Sequence, residues 1–201
     1  MKKIVLASTS LYRQQQLATL GIPFESVKPL FDEDRVKHQI IDQLKHPHAI
    51  AQKLSLEKGL SLADPKTITI SGDQLVSLEG QILGKPGTID NAIKQLALMQ
   101  GKTHELVTAC TVFDGRQPIE ILNITQITLK PLSTAQIKTY VNLDQPVDCA
   151  GSYKIEKHGI QLVESVKSDD FTAIQGLPLL ALAKVLNSLN ITIPYLDGKH
   201  D

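Results

Sequence analysis

The stretch from Ile4 to Gly21, IVLASTSLYRQQQLATLG, decides the fold class. Its first four residues are apolar, which is typical of a buried strand. The polar turn STS then provides hydroxyl side chains that can cap a helix, and the following residues continue to Gly21, where that helix is expected to end. A strand, a tight turn and a helix in immediate succession indicate an α/β protein.

Helix signals recur along the rest of the chain. A helix is expected to begin near Pro47, because the fixed φ of proline suits a first turn. Thr88 or Asp90 is expected to cap another, and Ser133 with Gln136 can form a capping box for a third. The sequence GLPLLALAKVLNSL predicts a proline-initiated helix near the carboxyl end. The helices therefore alternate with predicted strands, as the α/β class requires.

Strand signals predict three hairpins. The runs HELVTACTVF and IEILNITQITL flank the turn DGRQP. The stretch GDQLVSLEGQILGKP predicts a second hairpin with Asp73 and Lys85 at its two ends, and CAGSYKIEKHGIQLVESV leads from a loop into a third. Residues 24–48 follow no regular period. Because no repeat, low-complexity tract or Gly/Ser linker marks a boundary, residues 1–201 are predicted to form a single domain.

The composition limits the classes of function. Lys and Arg number 21, Asp and Glu number 21, and the formal net charge is zero. A general nucleic-acid or membrane-surface binder needs a broad positive field, so neither is expected as a partner. The first apolar run is too short for a signal peptide, and Cys110 and Cys149 lack the spacing of a metal site. The sequence thus predicts a soluble, cytoplasmic protein with reduced cysteines.

Ser10 and Arg13 lie at the start of the first predicted helix. Helix N-termini carry unpaired N–H groups and a partial positive charge, so a hydroxyl and a guanidinium there suit an anion. The alternative is an ordinary N-cap by Ser10 with a solvated Arg13, which taken alone is the more common arrangement.

Lys58 follows the apolar stripe of the helix that begins near Pro47, four residues after Leu54. A lysine on a core-facing stripe can extend its amine to solvent, or it can pair with a buried anion. The sequence leaves both interpretations open, although a nearby buried anion explains the position better.

Asp73 is predicted to interrupt a strand that enters a hairpin, and Lys85 follows that hairpin between Gly84 and Pro86. A carboxylate preceded by Gly72 suits a metal ligand or a general base, because backbone or ligand can approach closely. A lysine with a restrained backbone suits phosphate oxygens. The alternative for Asp73 is an ordinary turn aspartate.

An acidic group in the irregular stretch is a second candidate for metal binding. Glu33, flanked by Asp32 and Asp34, offers carboxylate oxygens to Mg²⁺, although such a group is more often a solvated loop. The close pair His46 and His48 predicts loop residues, and no histidine is assigned to a metal.

Ordered motifs along nearly the whole chain resemble the Maf family of nucleoside triphosphate pyrophosphatases. They read IVLASTSLYR, FDED, LEKG, SGDQLV, ILGKP, GKTHELVTA, CAGSYKIE and IQGLPLLAL. The resemblance implies an α/β fold of the Maf/ITPase kind, in which helices flank an elongated, curved mixed sheet and two lobes surround a nucleotide cleft. It also implies a homodimer and hydrolysis of a nucleoside triphosphate to the monophosphate and diphosphate.

The resemblance further implies roles for individual residues. Asp73 matches the catalytic carboxylate, with Lys85 as a second catalytic residue, and Glu33 joins Asp73 in binding a divalent cation, Mg²⁺ or Mn²⁺. The positions implied to hold the triphosphate are Ser10, Arg13, Lys58 and Lys85. Whether Asp73 takes the proton of the attacking water or binds the metal stays open.

Tyr12, Gln74 and Glu156 stand at the positions that distinguish branches of the family. An aromatic residue, Gln and Glu resemble the branch that acts on 7-methyl-GTP, whereas Arg, Thr and Gln resemble the branch that acts on dTTP and UTP. A carboxylate can accept both N1–H and the amino group of guanine, and N7 methylation makes the ring cationic, which favours an aromatic face. The predicted activity is therefore a house-cleaning hydrolysis of 7-methyl-GTP. The alternatives are a dTTP/UTP pyrophosphatase and a non-catalytic nucleotide-binding regulator of cell division.

Overall fold

The computed structural model describes residues 2–30, 36, 40, 43–191 and 193 of the chain. Helices and strands alternate through this part, as the sequence predicts. The described helices are α1 (Leu11–Ala18), α2 (Pro47–Leu60), α3 (Ile89–Met99), α4 (Thr134–Asp144) and α5 (Leu179–Ser188). The described strands are β1 (Lys3–Ala7), β2 (Glu25–Val27), β3 (Thr67–Leu78), β4 (Gln81–Leu83), β5 (Thr103–Asp114), β6 (Gln117–Leu129) and β7 (Val163–Lys167). None of these helices is long and apolar enough to cross a membrane.

The strands of the described residues form one seven-stranded sheet in the order β2-β1-β3-β5-β6-β7, with β4 paired to β3. β1 runs parallel to both β2 and β3, whereas the β3–β4 and β6–β7 pairs are antiparallel. The sheet is therefore mixed, and the predicted α/β class is confirmed.

The chain divides into two compact units. The first unit comprises Met1–Gln74, Thr108–Asn123 and Asp169–Asp201, and the second comprises Leu75–Val107 and Ile124–Ser168. The prediction of a single domain across 1–201 and the implied cleft stay predictions.

The first unit has an apolar core between strands and helices. Ile70 of β3 and Leu6 of β1 are fully buried there with Leu17 of α1 and Leu182 of α5. β1 is apolar on successive residues, and successive residues of β3 are buried, because these parallel strands are covered on both faces. This core holds the ends of β1 and β3 in place.

The second unit has helices α3 and α4 packed against each other. Thr88 caps α3 by accepting a hydrogen bond from the backbone N–H of Asn91. Ser133 and Gln136 form the predicted capping box of α4, with both reciprocal bonds present. These predicted helix starts are confirmed.

Three strand predictions were wrong. Asp73 does not interrupt a strand, because β3 is continuous on both sides of it, although the hairpin expected between Asp73 and Lys85 is present, with its turn at Glu79 and Gly80. β2 lies in the stretch expected to be irregular, where it pairs with β1. β7 does not form a hairpin of its own but pairs antiparallel with β6. In each case a neighbouring strand supplies the hydrogen bonds, which local sequence patterns do not report.

Cys110 and Cys149 are both free thiols, as expected. Burial raises the pKa of Cys110 to about 12, although the charge of Arg13 partly opposes that change. Cys110 therefore behaves as an apolar core residue rather than as a nucleophile.

Candidate functional site

The turn after β1 lies beside the middle of β3 in the first unit. The parallel register pairs Ala7 with Ser71, so the chain leaves β1 next to Gly72 and Asp73. Ligands of α/β proteins bind outside the carboxyl ends of parallel strands. The sequence motifs STSLYR and SGDQ therefore meet at an edge where ligand binding is expected.

Asp73 and Lys58 form a buried ion pair. Lys58 Nζ lies 2.6 Å from Asp73 Oδ1, and the two residues are 5% and 6% exposed. The buried anion that explains Lys58 is thus Asp73. The second carboxylate oxygen, Oδ2, is buried without a hydrogen-bond partner among the described residues. An unsatisfied buried carboxylate oxygen is costly and suits an atom that binds a ligand.

Helix α2 approaches β3 closely enough to deliver Lys58 because the next residue is glycine. A Cβ atom on Gly59 would lie 2.6 Å from both the Phe113 ring and Ser71 Oγ. Ser71 Oγ donates a hydrogen bond of 2.7 Å to the carbonyl oxygen of Ser55 in the same helix. A larger residue at position 59 would push the helix away and separate the ion pair.

Arg13 is anchored through one side-chain nitrogen and is partly exposed, and Ser10 is the N-cap of α1. Ser10 Oγ accepts a hydrogen bond of 3.5 Å from the backbone N–H of Arg13. Arg13 Nε donates to the carbonyl oxygen of Gly176 at 3.1 Å, and a Cβ on Gly72 would lie 3.3 Å from the same nitrogen. The guanidinium therefore lies against Gly72, the residue that precedes Asp73. Its terminal nitrogens have no hydrogen-bond partner in the described part of the chain, which leaves them for an anion.

Two predicted specificity residues also belong to the first unit. Tyr12, on α1, is 45% exposed. Gln74 follows Asp73 in β3, and its side-chain nitrogen lies 2.9 Å from Thr108 Oγ1. Gln74 is thus held in place by the first unit itself.

Lys85 lies in the second unit, exposed in the loop between β4 and α3. Side chains of α3 fix the backbone on both sides of it: Gln95 Nε2 donates to Gly84 O, and Asn91 Nδ2 donates to Pro86 O, each at 3.0 Å. The restrained backbone predicted from GKP is therefore present, with the helix as a further cause. The ammonium has no ion-pair partner among the described residues.

Glu156 is exposed in a segment of the second unit that is hydrogen-bonded to α4. The backbone N–H of Lys154 donates to Tyr140 Oη at 2.9 Å, and His158 Nδ1 lies 2.5 Å from Asp144 Oδ1. Burial alone would raise the pKa of Asp144, but hydrogen bonds from His158 and Tyr140 outweigh it and lower that pKa below its ordinary value. Asp144 is therefore a charged anchor for the segment that carries Glu156.

His104 does have a partner, which the sequence did not predict. Its Nε2 atom lies 2.8 Å from Tyr153 Oη, and Nδ1 is buried without a partner among the described residues. Burial lowers the pKa of His104 to about 4 and raises that of Tyr153. The neutral imidazole connects the motifs GKTHE and CAGSY inside the second unit.

Glu33, with Asp32 and Asp34, lies outside the described residues, and the described ones contain no group of three or more His, Cys, Asp or Glu placed to hold a metal ion. Sequence reasoning missed the residues that position the others: Gly59, Gln95, Thr108, Asp144 and Gly176. Gly59, which directly follows Glu57 and Lys58, was one signal in the sequence. The other positioning residues act on partners that are distant in sequence.

The sequence comparisons agree with this arrangement of motifs. The family model described as "Maf-like protein" matches residues 3–189. A Bdellovibrio bacteriovorus protein named 7-methyl-GTP pyrophosphatase is 50% identical over 190 residues, which cover 94% of this chain and 98% of that protein.

Two further relatives carry the same name. A protein of Xanthomonas axonopodis pv. citri is 37% identical, with 96% of this chain and 100% of the relative covered. A protein of Aromatoleum aromaticum is 39% identical, with 96% and 98% covered. The match runs from β1 to the end of α5, through every motif described above, and the chain therefore belongs to the Maf family.

Proposed function

We propose that this protein hydrolyses 7-methyl-GTP to 7-methyl-GMP and diphosphate. The observation that carries the proposal is the buried Lys58–Asp73 pair, in which Asp73 Oδ2 has no hydrogen-bond partner within the described part of the chain. The names of the Bdellovibrio, Xanthomonas and Aromatoleum relatives support the choice of substrate.

Asp73 is the residue proposed to act on the attacking water. Its Oδ1 is engaged by the ammonium of Lys58, which fixes the orientation of the carboxylate. Oδ2 then accepts a proton from water or binds a metal ion that makes water more acidic. In either role the carboxylate must be held in one orientation, which the ion pair provides.

The cations are proposed to stabilise the leaving diphosphate. Negative charge accumulates on that group as the bond to the α-phosphorus breaks, so fixed donors lower the barrier. Arg13 offers its terminal nitrogens from the first unit, and Ser10 stands at the N-terminus of α1. Lys85 offers an exposed ammonium on a fixed backbone.

A divalent cation, Mg²⁺ or Mn²⁺, fits the donor at Asp73. Hard cations prefer carboxylate oxygens, and Oδ2 is such an oxygen without a described partner. Glu33 is proposed as the second ligand on the basis of the family motif. When bound, the cation neutralises phosphate charge and lowers the pKa of coordinated water.

The base is proposed to be recognised by Tyr12, Gln74 and Glu156. A cationic 7-methylguanine ring gains from an aromatic face, by about 1–2 kcal/mol when desolvated. Carboxylate and amide oxygens accept the N–H groups of guanine.

The proposal is tested with a panel of 7-methyl-GTP, GTP, UTP and dTTP, assayed with Mg²⁺ and with Mn²⁺ for release of diphosphate and monophosphate. The highest kcat/KM is expected for 7-methyl-GTP. A higher value for UTP or dTTP would assign the protein to the other substrate class. Nucleotide binding without turnover of any of the four would contradict an enzymatic role.

The proposal includes a homodimer in the cytoplasm, as the family resemblance implies. Sedimentation velocity of the purified protein at micromolar concentration is expected to give twice the mass of the 22.0 kDa chain. A single species at the mass of one chain would contradict the dimer without affecting the proposed reaction.

A further inference from the structure

The side-chain amide of Gln74 has one defined orientation. Its Nε2 atom lies 2.9 Å from Thr108 Oγ1, 2.9 Å from Ala173 O and 3.2 Å from Ile174 O. Backbone carbonyl oxygens accept hydrogen bonds and cannot donate them, so the atom that faces them must be the amide nitrogen. The nitrogen and oxygen of this amide are therefore not interchangeable.

Thr108 reinforces that orientation. Its side chain is fully buried, and Oγ1 donates a hydrogen bond of 3.0 Å to Ala173 O. Since the single hydroxyl hydrogen is used there, the oxygen acts as an acceptor toward Gln74 Nε2. Three acceptors thus surround an amide nitrogen that has two hydrogens, and no donor capacity is left for a ligand.

Oε1 is the remaining polar atom of Gln74. No donor in the described residues forms a hydrogen bond with it, and Gln74 is partly exposed between the buried residues Asp73 and Leu75. A partly exposed acceptor next to the proposed catalytic carboxylate is available to the substrate.

We propose that Gln74 reads the base through Oε1 alone and that Thr108 is the positioning residue that keeps it in this state. The inference rests on the proposed function, which makes Gln74 a base-recognising residue. The base must then present an N–H group to Gln74, as guanine does with N1–H and its 2-amino group. An oxygen of the base in the same place would face Oε1 without a hydrogen between them.

Substrate analogues test which atom Gln74 uses. 7-Methyl-ITP lacks the amino group, 1,7-dimethyl-GTP lacks N1–H, and 7-methyl-6-thio-GTP keeps both donors but has a weaker acceptor at position 6. In the wild type we expect kcat/KM to fall by about tenfold or more for at least one donor-lacking analogue, because a polar group is left unpaired. In Gln74→Met this penalty should shrink at least about threefold, while the effect of sulfur at position 6 stays the same.

Two variants of Thr108 test its positioning role. Thr108→Val keeps the shape but removes the hydroxyl, so KM for 7-methyl-GTP should rise by about threefold while kcat changes by less than about twofold. The penalty for the donor-lacking analogue should shrink as in Gln74→Met, though by less, because two carbonyls still bind the amide. Thr108→Ser keeps the hydroxyl and should restore the wild-type discrimination. A merely structural role would not separate KM from kcat in this way.

Hydrogen exchange tests the amide orientation without any activity. The side-chain amide hydrogens of Gln74, identified in NMR spectra by their loss in Gln74→Met, should exchange more slowly than those of the exposed Gln117. Equal exchange would overturn the inference, as would unchanged penalties for both donor-lacking analogues in Gln74→Met. If wild type hydrolyses no methylated nucleotide, the proposed function and the reading of the base both fail, whereas slow exchange would still establish the orientation.

Discussion

Each unit of the molecule contains a buried aspartate with one carboxylate oxygen paired and the other without a described hydrogen-bond partner. In the first unit Asp73 Oδ1 lies 2.6 Å from Lys58 Nζ, and in the second Asp144 Oδ1 lies 2.5 Å from His158 Nδ1. Their settings differ. Asp73 lies within strand β3, whereas Asp144 is the last residue of helix α4.

The helix dipole separates the two cases. Lys58 occupies the last turn of α2, where a cation is favoured, so the helix supports the charge that Asp73 requires. Asp144 occupies a helix C-terminus, where an acid is disfavoured, and it depends on His158 and Tyr140 to remain charged. The two buried aspartates therefore differ in role: Asp144 anchors a segment, whereas Oδ2 of Asp73 is the atom proposed to act in the reaction.

The largest expected difference is in turnover. Asp73→Asn should lower kcat for 7-methyl-GTP by about 10³-fold, because an amide neither accepts a proton nor binds a cation well. Asp114→Asn is the matched control, since Asp114 is an exposed acid that pairs with Lys2. Asp144→Asn should leave kcat within about twofold of wild type. Steady-state diphosphate release measures all three, and equal losses at both buried aspartates would remove the distinction.

Next in size is the stability effect of the buried ion pair. Lys58→Met should lower the free energy of unfolding by about 3 kcal/mol, because Asp73 stays buried without its cation. Combining Lys58→Met with Asp73→Asn should cost less than the sum of the two single changes, since the pair is shared. Urea unfolding followed by circular dichroism measures this cycle. Additive effects would show that the contact contributes little.

A smaller stability effect is expected at Asp144. Asp144→Asn should lower the free energy of unfolding by about 1–2 kcal/mol, because the charge-assisted bond from His158 is lost. Asp148→Asn is the control in the same unit: its carboxylate is 69% exposed and pairs with Lys154 at 3.1 Å. The control should change stability by less than about 1 kcal/mol. Equal effects in the same urea experiment would argue against an anchoring role.

The smallest effect is the pH dependence of the difference in unfolding free energy between wild type and Asp144→Asn. The pKa of Asp144 is lowered in the folded state, so its stabilisation is fully present above the ordinary carboxyl value near 4 and is lost as pH falls through the folded value. The advantage of wild type over Asp144→Asn should therefore hold between about pH 5 and pH 7 and shrink below about pH 4. His104, whose pKa is about 4, titrates in both proteins and cancels. A difference that persists at pH 3 would contradict this cause.

The candidate site was predictable where one residue type and its immediate neighbours carry the information. Asp73 stood out as an acid between two β-branched segments, and Lys58 as a cation on an apolar stripe that a buried anion would explain, but the sequence did not identify Asp73 as that anion. Gln74 was chosen by resemblance, but the sequence does not indicate which atom of its amide faces the ligand. That depends on Thr108 and on the carbonyls of Ala173 and Ile174, far along the chain.

By itself the sequence determined the alternation of strands and helices, their caps, and the candidate residues whose charge suits a nucleotide. Those features depend on local periodicity and on side-chain chemistry, which residues close together in the sequence determine. Only the tertiary structure decided that β3 continues through Asp73, that β7 joins β6, and that Gly59 lets α2 bring Lys58 to the carboxylate. Strand pairing and close packing depend on partners distant in sequence, and only the fold brings those partners together.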